Sequence, residues 1–308
     1  MTMTFPSAKA DTPVAARLET VGMLGLGIMG SAMTANLVKA GFEVLGYDPV
    51  SATRERLVID GGTAVEDALD AIRPVRVLLL SLPSEAALQS ATEQICAVGQ
   101  PGLIVAETST LPVEAKQRAF DAMQAKGIIM LDCPLSGTGA QALTRDLAVY
   151  ASGDTAAIAR IQPVLDGFAR VTYVIGAFGQ GMQMKLMANL LVSIHNVSTA
   201  EALLMGSRMG IDMDIAIKVL ADGAGGSRML EVRGPLMSGR SWNQATMKVS
   251  TWQKDIKLIS AALVEANVPA PLFYAAIPIY NAAMGMGHGD ADTASVYHVL
   301  ERMSSLKA

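Results

Sequence analysis

Charge is scarce in this sequence. Asp, Glu, Lys and Arg make up 17% of the 308 residues, against roughly 25% in an ordinary soluble domain. The shortfall predicts that part of the surface is covered between subunits, in a homodimer or homotetramer. The charge that is present sums to −4, so there is no basic field to attract a phosphate backbone or an anionic lipid, and neither nucleic acid nor a membrane surface is expected as a partner. Cys96 and Cys133 are the only cysteines. They lack metal-ligand or secretory spacing, which fits a reducing compartment and two ordinary core residues. His195, His288 and His298 are too dispersed to predict a metal site. Lys185, His195 and Glu201 interrupt the best apolar run, leaving it short of the roughly 18 residues that a membrane span requires. Residues 1–20 lack the basic start and apolar centre of a signal peptide and read as a frayed tail. These absences predict a cytoplasmic protein that works on a small molecule.

Apolar residues are abundant, at 51%, and a chain of this length divides most simply into two domains. From Val21 to about Ile175, β-rich runs alternate with helix-like segments: VGMLGL, EVLGYD, VRVLLLSL, GLIVAE, GIIMLD, LAVYAS and VTYVIG. That rhythm predicts an α/β fold, a Rossmann-type doubly wound sheet. The near-continuous apolarity of VRVLLL and GLIVA fits parallel strands covered on both faces. After Gly181 the pattern becomes helical, with punctuation at Gly223 to Gly226 and at Pro235. The expected division is a dinucleotide-binding domain over 21–180 and an all-α substrate and oligomerisation domain over 181–308. The glycines of IGAFGQ provide the change of direction.

A glycine fingerprint opens the first domain. In GLGIMG, Gly25, Gly27 and Gly30 follow a strand-like run and precede a helix-like one. The first permits the tight turn, the second lets backbone approach a pyrophosphate, and the third allows the helix to pack closely on the strand. With Leu26, Ile28 and Met29 they form a loop that places the pyrophosphate at a positive helix end. Asp48 ends EVLGYD, 48 − 30 = 18 residues past the last glycine, close to the usual spacing of the ribose-binding acid. A carboxylate there accepts a ribose 2′-hydroxyl and repels a 2′-phosphate, which favours NAD over NADP. Arg54 and Arg56 read as exposed charges on the following helix, the alternative being that they swing back towards this acid. Leu82 and Pro83, in SLPS, lie at the carboxyl edge of the sheet, with Pro83 as a candidate helix start.

Lys185 poses the sharpest question. Between Met182 and Ser207 only Lys185 and Glu201 carry full charge, so the helix is expected to be buried on most of its circumference. A buried lysine has a depressed pKa and exchanges a proton more readily near neutrality. Asn189, four residues on, shares its face. The pair follows the glycine hinge directly, which would place it in a cleft between the two domains. The plainer alternative is a lysine that snorkels at a helix start.

Beyond residue 20 the order of motifs resembles the β-hydroxyacid dehydrogenases, a family that includes 3-hydroxyisobutyrate dehydrogenase, tartronate semialdehyde (2-hydroxy-3-oxopropionate) reductase and threonate dehydrogenase. The resemblance rests on GLGIMGSAMTANLVKAG, ETSTLP, DCPLSGTGAQA, GAFGQGMQMKLMAN and WQKDIKLI. It implies that Lys185 is the catalytic lysine and that Asn189 helps to hold substrate. It also implies that Ser136, Gly137 and Thr138 grip the substrate carboxylate. Thr110 and Lys254 would lie beside the nicotinamide end of the cofactor, and Leu82 and Pro83 near its adenosine half. The implied activity is NAD-dependent interconversion of a small 3-hydroxy acid and its semialdehyde. Four positions depart from the pattern: Thr138 replaces a glycine, Leu190 an asparagine, Glu107 an aspartate and Ala294 a serine. A glycine lost at 138 matters if that position needs positive φ.

Two residues and two alternatives stand beside this reading. Arg228 and Arg233 either contact an anionic end of the substrate or are surface and intersubunit charge. The other functions are a reductase of another small carbonyl or imine, or a dinucleotide-binding interaction module without turnover. Imine reductases of similar fold generally lack a lysine at this position, and a module would be expected to lose it.

Overall fold

The computed structural model describes residues 19–304. The expected tail therefore lies outside the described residues, except for Glu19 and Thr20, and Thr20 already opens the first strand. Among the described residues nine strands form one sheet: β1 (Thr20–Leu24), β2 (Glu43–Tyr47), β3 (Thr63–Ala64), β4 (Val77–Leu80), β5 (Ile104–Glu107), β6 (Ile129–Asp132), β7 (Leu135–Ser136), β8 (Ala148–Ser152) and β9 (Val171–Gly176). Helices of the sheet domain are α1 (Ile28–Lys39), α2 (Ser51–Ile59), α3 (Ala68–Ile72), α4 (Glu85–Val98), α5 (Val113–Gln124), α6 (Gly139–Leu143) and α7 (Thr155–Phe168). The chain then becomes helical: α8 (Gln180–Arg208), α9 (Met213–Asp222), α10 (Arg228–Ser238), α11 (Val249–Glu265), α12 (Pro271–Gly285) and α13 (Val296–Ser304).

The strand order is β3-β2-β1-β4-β5-β6-β8-β7, with β9 on β8. Strands β1 to β6 pair in parallel. All four residues of β4 and of β5 are buried, because helices cover both faces of a parallel sheet. β8 runs antiparallel to β6 and β7, a reversal that the alternation of strand and helix does not encode. β3 and β7, two residues each, carry no periodic signal and were not expected. The chain winds outward from β1 and returns to β4, so the carboxyl ends of those two strands flank the switch point where such sheets bind ligands.

One core lies on each face of the sheet, with Met23, Leu37 and Leu79 on one side and Leu78, Ile95 and Val105 on the other. A further core joins the helices around Leu203, Trp252, Phe273 and Tyr280. α8 is its axis. That helix is less buried than its sequence suggests, since Met187, Leu191 and Met205 are exposed. Pro235 does not break the chain: α10 runs through it. An internal proline costs about 3 kcal/mol, and the buried face of Leu230, Arg233, Gly234 and Met237 holds the helix together. Pro83 likewise does not start α4, which is capped by Ser84, whose hydroxyl accepts from the Ala87 amide at 3.2 Å.

Candidate functional site

The glycine loop joins β1 to α1 at the switch point. Gly25 has φ +91°, and a Cβ there would lie 2.1 Å from the Ser81 carbonyl oxygen. A Cβ on Gly30 would lie 2.0 Å from the Gly25 carbonyl oxygen. Only glycine permits this contact of helix, turn and neighbouring strand. Gly27 caps α1 without a side-chain partner and has open space around it, so the first amides of the helix are free to receive an anion. Ile28 beside it is exposed and Met29 half-buried. Asp48 ties the loop to β2: its carboxylate accepts from the Leu26 amide at 2.8 Å and from the Val50 amide at 2.9 Å. This is a cradle that fits a dinucleotide.

The two arginines of α2 part ways. Arg56 is exposed and pairs with Asp60, but Arg54 folds back, donating to the Asp48 carbonyl at 2.7 Å and to Glu66 at 2.8 Å. α2 begins three residues after Asp48, so its first turn lies against the end of β2. On the other flank of the switch point, the Leu82 amide donates to Ser109 Oγ at 2.7 Å, and Pro83 is exposed.

A cavity of about 550 Å³ lies between the sheet domain and the helices. Ser136, Gly137 and Thr138 reach it from β7 and the turn into α6, Lys185 and Asn189 from α8, Arg228, Met229 and Arg233 from α10, and Trp252 from α11. Thr138 is unstrained there. Its φ is −101° and it caps α6 in a reciprocal pair with Gln141, while the positive φ, +138°, falls on Gly137.

Lys185 is half-buried in the wall of this cavity. Burial pushes its ammonium below the ordinary lysine value; Asp255 opposes the shift and Lys254 adds to it. Asn189 is buried, and its amide donates to Asp255 Oδ2 at 3.1 Å. Asp255 is held above the usual carboxylate range by burial, against the pull of Lys254, Lys185 and Asn189. Lys254 reaches across to the sheet domain, where its ammonium donates to the Thr110 carbonyl at 2.8 Å. Thr110 and Lys254 thus meet each other. In the sequence Asp255 is only the residue after Lys254 in WQKDIKLI, and its contact with Asn189 is made by folding.

A buried ion cluster roots α8 in the sheet. Lys116 is fully buried between Glu107, 2.7 Å away, and Asp132, 2.6 Å away. Asp132 Oδ2 accepts from the Met182 amide at 2.7 Å, and Ser152 Oγ accepts from the Gly181 amide at 2.9 Å. Glu107 Oε1 accepts from the Ser109 amide at 2.8 Å. The lysine therefore connects the loop bearing Thr110 with the first turn of the helix bearing Lys185. Burial lowers its pKa, but the two carboxylates outweigh this and hold it above the ordinary value. No signal in AKQRAF marks Lys116 as internal; a lysine on a charged helix is usually solvated.

Of the two arginines in question, Arg228 is exposed but Arg233 is buried, so surface charge does not describe the second. His288 and His298, distant in sequence, meet at 2.8 Å. Among the described residues no group of three or more His, Cys, Asp or Glu is placed to hold a metal, and no helix is long and apolar enough to cross a membrane.

Two family profiles match the chain. One, described as the NAD-binding domain of 6-phosphogluconate dehydrogenase, covers residues 20–176, about half the chain. The other, described as the NAD-binding part of NADP-dependent 3-hydroxyisobutyrate dehydrogenase, covers residues 179–300. The chain belongs to the β-hydroxyacid dehydrogenase family. Within that family it is 29% identical to L-threonate dehydrogenase of Haemophilus influenzae, over 92% of this chain and 96% of that protein. It is also 29% identical to glyoxylate/succinic semialdehyde reductase 1 of Arabidopsis thaliana, over 91% and 98%. Its fold matches the structure of Mycobacterium tuberculosis 3-hydroxyisobutyrate dehydrogenase with L-serine at a TM-score of 0.83 and 26% identity, over 92% of this chain and 99% of that one. As a β-hydroxyacid dehydrogenase the chain is an oxidoreductase with a nicotinamide dinucleotide as its cofactor.

Proposed function

We propose that this chain interconverts a small 3-hydroxy acid and its semialdehyde with NAD, and that Lys185 is its general acid and base. The observation that carries the reading is a lysine of depressed pKa in the same cavity as the Ser136–Thr138 loop. When bound, the nicotinamide supplies the place to which a hydride goes or from which it comes. The proton of the alcohol must go elsewhere. Neutral Lys185 takes it from the hydroxyl as the carbonyl forms; in the reverse direction the ammonium donates it to the carbonyl oxygen and steadies the negative charge that develops there. The Ser136–Thr138 loop grips the substrate carboxylate with backbone amides and the Ser136 hydroxyl, Thr138 being capped by Gln141, and Asn189, fixed by Asp255, orients the reacting end. The Gly25–Gly30 loop receives the pyrophosphate, Asp48 the adenosine ribose, Leu82 and Pro83 the adenosine side, and Thr110 with Lys254 the nicotinamide side. Asp48 favours NAD, since a 2′-phosphate would meet its carboxylate.

The test follows hydride transfer at the cofactor's absorbance with 3-hydroxyisobutyrate, glycerate, threonate and 3-hydroxypropionate, each with NAD and with NADP. Turnover of at least one acid with NAD is expected. Lys185→Ala is expected to bind NAD as the native protein does and to lose about 10² to 10⁴ in turnover. NAD binding without turnover of any acid would favour the interaction module, and an undiminished Lys185→Ala would remove the lysine from the chemistry.

A further inference from the structure

Three arginines line the cavity, Arg170, Arg228 and Arg233, and they differ in what they already hold. Arg170 Nε lies 2.8 Å from Asp146 and Arg228 Nη2 lies 3.7 Å from the same carboxylate, while Arg228 Nη1 also meets Glu231 at 2.7 Å. Both side chains are 62% exposed, so water solvates what the carboxylates leave. Arg233 is in another situation. Its side chain is 3% exposed, with Nε donating to Thr293 Oγ1 at 2.7 Å and lying 3.2 Å from Asp292 Oδ1. Asp292 is itself engaged by the amides of Thr246, Met247 and Ala294 and by the Thr246 hydroxyl. Among the described residues the hydrogen-bond partner left for the two Nη nitrogens is the Met229 sulfur, at 3.5 Å. A thioether is a weak acceptor, and a guanidinium carries five N–H donors in a planar fork. Withdrawing such a fork from water without oxygen partners is costly. A fold that holds it rigidly by Nε and turns it into a substrate cavity has left the fork for a ligand.

We propose that Arg233 determines the substrate specificity of this site by taking a second oxyanion, a carboxylate in the first instance, so that the preferred substrate is a 3-hydroxy acid bearing two anionic groups. This rests on the reading of the cavity as the hydroxy-acid site. The Ser136–Thr138 loop and Lys185 account for one carboxylate and the reacting hydroxyl. Arg233 then donates to the other carboxylate end-on, through Nη1 and Nη2, with two parallel hydrogen bonds that a single hydroxyl does not match. The charges along the wall agree: Lys185, Arg170, Arg228 and Arg233 face the cavity against Asp146.

Three five-carbon acids that differ only at the far end provide the test, each with a secondary C3 hydroxyl that is oxidised to a 3-oxo acid in place of a semialdehyde: 3-hydroxypentanoate ends in methyl, 3,5-dihydroxypentanoate in hydroxymethyl and 3-hydroxyglutarate in carboxylate. With NAD, kcat/KM is expected to favour 3-hydroxyglutarate over 3-hydroxypentanoate by about 10- to 100-fold. In Arg233→Met that ratio should collapse towards one. In Arg233→Lys, which keeps the charge but not the fork, it should be intermediate. The ratio is the decisive readout, because loss of a purely structural contact to Asp292 and Thr293 lowers all three substrates together and leaves it unchanged. An unchanged ratio, or a native preference for the methyl or hydroxymethyl end, overturns the inference while leaving the dehydrogenase reading in place. Should none of the three be turned over, calorimetric titration into the NAD-saturated protein poses the same question without chemistry. Tighter binding of 3-hydroxyglutarate that Arg233→Met abolishes sustains the inference; equal binding of the three acids overturns it.

Discussion

A lysine beside a substrate works as a base only if its proton is easily lost, and burial of Lys185 supplies that condition. In the proposed mechanism neutral Lys185 is the active form for oxidation. The rate of oxidation should therefore rise with pH and level off below the ordinary lysine range of about 10.4, while reduction falls over the same interval. Asp255 opposes the depression, so Asp255→Asn should move this limb to lower pH, as read from pH profiles of kcat/KM. A limb that stays in place would show that Asp255 does not act on the lysine. At the glycine loop the limit is steric. Gly30→Ala would bring a methyl group to 2.0 Å from the Gly25 carbonyl, and is expected to cost about 1–3 kcal/mol of stability together with cofactor binding. Thermal denaturation and a fluorescence titration with NADH check both.

At the scale of elements, α8 is placed by what receives its first turn. The amides of Gly181 and Met182 end on Ser152 and Asp132, and Asp132 is held in turn by Lys116. Lys116→Met would leave two buried carboxylates without their cation, a loss of about 3–5 kcal/mol when one partner of a buried pair is removed. Chemical denaturation should show a lowered midpoint of that order, and a change below about 1 kcal/mol would mean that the cluster behaves as a surface pair. Glu107, one of the departures from the family pattern, reaches Lys116 through one oxygen and the Ser109 amide through the other. Glu107 thus takes part in the link between the loop bearing Thr110 and the helix bearing Lys185.

For the whole molecule, the sheet domain and the helices meet beside a cavity, and two of the contacts that join them are polar. Lys254 on α11 reaches the carbonyl of Thr110 after β5, and Arg228 on α10 faces Asp146 before β8. Lys254→Ala removes one such strap and is expected to raise the Kd for NAD several-fold, measurable by the same titration. The low charge content has a visible counterpart in the helical half. α9 has no buried residue, and Ile215 and Val219 on it are exposed, as are Met205 on α8 and Leu272 on α12. Exposed apolar side chains that adjoin one another are normally covered, and sedimentation is expected to report a dimer or tetramer. A monomer at micromolar concentration would leave the charge deficit unexplained.

Local chemistry was legible from the order of residues alone. Apolar runs of strand length, glycines at the turn into α1 and an acid 18 residues on are short-range signals, each dictated by backbone sterics or by the period of one element. From them came the doubly wound sheet, the helical second half, the dinucleotide loop and the lysine that needed a reason. What depends on distant residues meeting was not legible: the antiparallel β8, the internal Lys116, the contact of Asn189 with Asp255 and the burial of Arg233. A lysine or arginine has the same letter whether it is solvated or enclosed, and only the packing of elements far apart in the chain decides which. Because burial sets both the cost of a charge and its readiness to take a partner, the tertiary structure determined which cations of this chain are available for chemistry.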